Sequence, residues 1–95
     1  MEAERQLRPE DAVELNPNYH FRWEEPQQAH VLLYPEGIVK LNQTAAAILE
    51  ACTGASSIAD GTAELARRYN KRNLGAEVLK FLEVAHAKGW IRVKS

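Results

Sequence analysis

The chain has 95 residues, a net charge of −1, 45% hydrophobic positions and 26% charged ones, which is the composition of one small globular domain with a modest core rather than a disordered tail. No apolar run approaches the roughly 20 residues a membrane-spanning helix needs. The start, Met1-Glu2-Ala3-Glu4-Arg5-Gln6, lacks the basic and apolar regions of a secretory signal, and Cys52 is the single cysteine, so no internal disulfide forms; the expectation is a cytoplasmic protein with no membrane partner.

Residues 1–18 are polar, contain Pro9 and Pro17 and show no period, which predicts an extended or flexible N-terminal arm. Residues 19–95 then make up a single domain. Tyr19 to Trp23 alternates bulky aromatics with polar residues, the pattern of a half-buried strand. Glu24 to Gln28 supplies a turn, Ala29 to Tyr34 a second strand, and Pro35-Glu36-Gly37 a tight reversal in which proline presets φ. Ile38 to Leu41 is a third strand. Connections this short join antiparallel neighbours, so the three strands form a meander in sequential order with the third strand at an edge.

Three helices follow. Asn42 is placed to cap the first, whose Ala45, Ile48, Leu49 and Cys52 share one apolar face before Thr53-Gly54 stops it. Ser57-Ile58-Ala59-Asp60 resembles a capping box opening a second helix, with Ile58, Thr62, Leu65 and Tyr69 along one side and Gly61 as a weak point inside it. The third helix spans about Leu74 to Lys88, with Leu74, Val78, Phe81, Leu82 and Ala85 as its apolar stripe. Gly89 ends it, and Trp90 to Val93 is short and β-prone. The predicted fold is α+β and winged-helix-like: a three-stranded antiparallel sheet, a three-helix bundle and a short C-terminal strand.

Chemistry is absent where catalysis would need it. There is no nucleophile with a base, no paired carboxylates and no phosphate loop at usable spacing. Cys52 lies on an apolar helix face, as a small core residue would, and His20, His30 and His86 are too far apart for a spaced metal motif. The reading is therefore no enzyme, no metal and no cofactor. A winged-helix regulator that contacts nucleic acid is the alternative, but the exposed positions of the third helix, Ala76, Glu77, Lys80, Glu83 and Ala87, set two acids against one base, and an overall charge of −1 removes most of the counterion-release drive. Charge is nonetheless uneven. Met1 to Glu36 carries eight acidic and three basic residues, Gly37 to Ser95 five acidic and nine basic. Four of the latter, Arg67, Arg68, Lys71 and Arg72, are clustered, either as a solvated helix end or as a landing patch that steers acidic groups of a partner.

Trp23-Glu24, His30-Val31-Leu32-Leu33-Tyr34-Pro35-Glu36-Gly37, Leu41 to Glu50, Val78 to Leu82 and Lys88-Gly89-Trp90-Ile91 together resemble the PqqD family of peptide chaperones in pyrroloquinoline quinone biosynthesis. The resemblance runs in order from about residue 19 to residue 93. Gln43 stands where the family usually has an acidic residue and Thr53-Gly54 where it usually has Asp-Gly, both at helix ends. The resemblance implies a non-catalytic protein that binds a small ribosomal precursor peptide and delivers it to a radical S-adenosylmethionine enzyme. It further implies that the peptide adds as a strand along Ile38, Val39, Lys40 and Leu41 and rests against the third helix around Leu74, Glu77, Val78, Lys80 and Phe81. An open edge also admits self-pairing, so the chain is a monomer or a homodimer formed by edge-strand or segment exchange.

Overall fold

Asn42 marks the passage from sheet to helices. Its side-chain oxygen accepts the N–H of Ala45 at 2.7 Å, satisfying a donor that the helix itself leaves orphaned. The structure, a computed structural model, describes residues 6–94. Before Asn42 lie β2 (His20–Glu24), β3 (Ala29–Tyr34) and β4 (Gly37–Lys40), after it α1 (Gln43–Thr53), α2 (Ile58–Tyr69) and α3 (Gly75–Ala87); a short β1 (Val13–Leu15) and β5 (Ile91–Val93) flank the set. The three-stranded sheet has the order β2-β3-β4, antiparallel throughout, with Leu32 opposite Phe21 on one side and Val39 on the other. The sequential meander, the three helices and the C-terminal strand are as the pattern predicts.

The core forms where the sheet meets the helices. Leu32, Leu41, Ile48, Leu49, Cys52, Ile58, Leu65, Val78, Leu82, Ala85 and Ile91 are buried in one cluster. The expected stripe of α3 splits: Val78, Leu82 and Ala85 are buried, whereas Leu74 and Phe81 are only partly covered. Gly89 closes α3 with a φ of +82°, a left-handed conformation that glycine adopts without strain. The N–H of Trp90 then returns to the carbonyl of Ala85 at 2.9 Å and turns the chain into β5.

The N-terminal segment departs from expectation. Met1 to Arg5, like Ser95, lie outside the described residues, but from Leu7 onward the supposed arm is packed. Leu7 and Val13 are buried in the core, and β1 pairs antiparallel with β5, Val13 opposite Val93 and Leu15 opposite Ile91. The segment also finishes α2. The N–H groups of Ile58 and Ala59 donate to the carbonyls of Asp11 and Pro9, both at 2.8 Å, and that of Asp60 donates to the Ser57 hydroxyl at 3.1 Å. Three orphan donors at the start of α2 thus find acceptors, two of them more than forty residues upstream. Asn16 ties the same segment to the end of α3, its side-chain N–H donating to the Gly89 carbonyl at 2.9 Å.

Gly61 is a contact, not a weakness. A Cβ there would stand 2.7 Å from the Cys52 Sγ and 2.8 Å from the Cys52 Cα, so α1 and α2 approach as closely as they do because position 61 has no side chain. On an exposed helix, glycine to alanine stabilises by up to about 1 kcal/mol. Here Gly61→Ala should instead destabilise by about 1–3 kcal/mol, the cost of overpacking against backbone. Urea unfolding of the two proteins checks the sign.

Candidate functional site

Backbone alternation decides what β4 offers. The N–H of Leu41 donates to the carbonyl of His30 at 2.9 Å, and the register that sets Val31 opposite Lys40, continued by one residue, places these two opposite one another. They are a hydrogen-bonded pair, and in an antiparallel ladder such pairs alternate with non-bonded ones. Val39 with Leu32 and Gly37 with Tyr34 are therefore the inward-bonded pairs. Ile38 and Lys40 aim their N–H and C=O groups away from β3, at an edge that no strand among the described residues covers. The side chains follow the same rule. Val39 and Leu41 face the core, Leu41 buried and Val39 partly so, while Ile38 turns outward and is 50% exposed.

A groove lies beside this edge. β4 and α3 make little direct contact; α1, which follows β4 in the chain, packs against β3 and α3. The groove is lined by Asn42, Thr44, Ala45 and Ile48 from the start of α1 and by Glu77, Lys80, Phe81 and Val84 from α3. Its apolar part is Ala45, Ile48, Phe81 and Val84, with Glu77 and Lys80 at the side. Val84, 46% exposed, was not among the residues the sequence pointed to. The signal was its spacing from Glu77 and Phe81, one helix face away from the buried Val78, Leu82 and Ala85. A second hollow of about 240 Å³ adjoins it, between α1, the end of α2 and the start of α3, and includes Leu74, Val78 and Lys71.

The sequence-predicted residues thus sort by position. Ile38 and Lys40 present the free backbone edge, Glu77, Lys80 and Phe81 line the groove, Leu74 lies in the adjoining hollow, and Val39, Leu41 and Val78 serve the core. The basic cluster divides as well. Arg67 donates to Glu64 at 2.7 Å, a bond that holds the Glu64 carboxyl below the usual carboxylate range, and Arg68 lies 3.5 Å from Glu64 and 3.6 Å from Glu50. Exposed pairs of this kind add little stability, but they leave less charge available to a partner. Lys71 and Arg72, held between left-handed Asn70 and Asn73, form no ion pair among the described residues.

Cys52 is fully buried, and burial pushes its thiol up to about 11. A thiol this hard to ionise is a poor nucleophile. Its folded value lies above the ordinary 9.0, so the stability it contributes is complete below that value and is lost as pH climbs through the folded one. Iodoacetamide at neutral pH should label the native chain far more slowly than the urea-unfolded chain, and the unfolding midpoint should fall between about pH 9 and 11. Equal labelling rates would contradict the packing. No helix among the described residues is long and apolar enough to cross a membrane.

An α+β, winged-helix-like domain with an open strand edge beside a helix-lined groove is a binding fold. The sequence profile described as coenzyme PQQ synthesis protein D (PqqD) matches residues 29–91. A protein of Methylococcus capsulatus named PqqA binding protein is 44% identical over 86 residues, covering 90% of this chain and 92% of that one. Its counterpart in Azotobacter vinelandii is 46% identical over 84 residues, covering 87% and 91%. The chain belongs to the PqqD family. Its fold also matches, with a TM-score of 0.78 and 24% identity over 97% of this chain and 99% of the other, the solution structure of the PqqD part of Methylobacterium extorquens PqqCD, described as a stand-alone recognition element for ribosomally synthesised and modified peptides.

Proposed function

We infer that this protein is a peptide chaperone of pyrroloquinoline quinone biosynthesis that binds the precursor PqqA by strand addition and presents it, without chemistry of its own, to a radical S-adenosylmethionine enzyme in the cytoplasm. The observation that carries the binding mode is the free edge at Ile38 and Lys40 beside the groove of Ala45, Ile48, Phe81 and Val84. Main-chain bonds to the edge supply affinity, and alternate side chains of the added strand reach the groove for specificity. Membership of the PqqD family and relatives named for PqqA binding support the choice of peptide. Presentation to the radical enzyme rests on the family resemblance. A homodimer built through the same β4 edge would compete with the peptide, so the binding form leaves that edge free.

Nucleic-acid binding is not favoured. The groove carries one acid, Glu77, against one base, Lys80, and two of the four clustered basic residues are tied to Glu50 and Glu64. Calorimetric titration with synthetic PqqA and, separately, with a DNA duplex at physiological salt should give saturable binding to the peptide alone. Binding to the duplex with none to PqqA would overturn the reading.

A further inference from the structure

The hollow between the three helices takes in Leu74 and Val78, which the groove beside the β4 edge does not reach, yet it is joined to that groove. Thr44, Ile48 and Glu77 line both. Its floor is apolar, from Ala47, Leu65, Leu74 and Val78, and its rim carries Tyr69, 52% exposed, and Lys71. At about 240 Å³ it falls below the roughly 300–1,000 Å³ of pockets that enclose free small molecules. That size suits one side chain delivered by a longer chain.

The route into it is set by β4. A strand paired with Ile38 and Lys40 that runs on past the Lys40 end reaches Asn42 and Thr44 within about two or three residues, at the ordinary rise of an extended chain. Thr44 is the shared wall, so the next side chain on the inward face arrives at the mouth of the hollow. Lys71 stands there without an ion pair among the described residues, unlike Arg67 and Arg68.

We propose that the hollow bounded by Ala47, Leu65, Leu74 and Val78 is a second specificity pocket that takes one bulky apolar side chain from the precursor segment flanking the β4-paired strand, with Lys71 pairing a carboxylate beside that side chain. The proposal rests on the strand-addition reading above and adds to it which neighbouring residues of the peptide are read. It also gives Lys71, rather than the neutralised Arg67 and Arg68, the charge-reading role within the basic cluster.

Ala47 tests it, because it lines the hollow and not the groove. Ala47→Phe fills the space and should weaken PqqA about tenfold, the share one buried side chain carries. In methyl-labelled wild-type protein the Ala47 and Leu65 signals should shift on adding PqqA and saturate together with that of Ile38. Lys71→Glu, a surface change that leaves the fold intact, should weaken binding and flatten its salt dependence. These two measurements decide the matter should Ala47→Phe fail to fold. Silent Ala47 and Leu65 methyls at saturation, with Lys71→Glu binding within about twofold of wild type, would overturn the pocket while leaving strand addition standing. No PqqA binding by the wild type would instead sink the underlying reading.

Discussion

A chain that starts at Tyr19 is expected not to fold. Such a fragment looks like the whole domain by pattern, yet it discards Leu7 and Val13, both buried in the core. Burying each stabilises by about 1.5–3 kcal/mol. The fragment also loses the pairing of β1 with β5 and the Asp11 and Pro9 carbonyls that accept from Ile58 and Ala59, each such bond contributing about 0.5–1.5 kcal/mol. Together these reach the scale of the whole stability of a small domain, about 5–15 kcal/mol. Circular dichroism and amide NMR of the fragment should show a largely unfolded chain. A melting temperature within about 5 °C of the full-length protein would mean that the N-terminal segment contributes almost nothing.

Proline substitutions along β4 should separate folding from binding. The N–H of Lys40 points to the open edge, so Lys40→Pro removes a donor that only an incoming strand would use; edge strands tolerate proline in that phase. The variant should stay folded and bind PqqA at least about tenfold more weakly. Lys40→Ala serves as the control for the lost charge and should bind nearly as well as wild type. Val39 is the opposite case. Its N–H belongs to the ladder with Leu32, so Val39→Pro should cost about 3 kcal/mol or more of stability, and lost binding in that variant says nothing about the edge. Full affinity in a folded Lys40→Pro protein would reject strand addition.

Much of this architecture was legible in local chemistry. Asn42 and Ser57 cap helices as their residue types suggest, and the stripe of Val78, Leu82 and Ala85 reports its own burial. What escaped was non-local. β1 is three residues long, too short for alternation to register, and its partner lies near the other end of the chain, with Glu14 bonded to Arg92 at 2.6 Å. Gly61 reads as a helix weakness because propensity knows nothing of the Cys52 backbone across the interface. The outward phase of Ile38 and Lys40 depends on the bond from Leu41 to His30, which no spacing rule contains. For the site, three of the residues the family resemblance pointed to, Glu77, Lys80 and Phe81, line the groove, whereas Val84 and the alanines of α1, whose small side chains leave the space, were not among them.

The stretch from Pro9 to Ala12 has one more consequence. Its carbonyls accept N–H groups from Ile58, Ala59 and Lys94, so it is the common acceptor for the first turn of α2 and the tail of β5. Peeling these few residues from the surface releases all three amides in one event. Two elements far apart in the chain therefore share a single opening equilibrium, and hydrogen exchange at the start of α2 and at the C-terminal end follows the same clock.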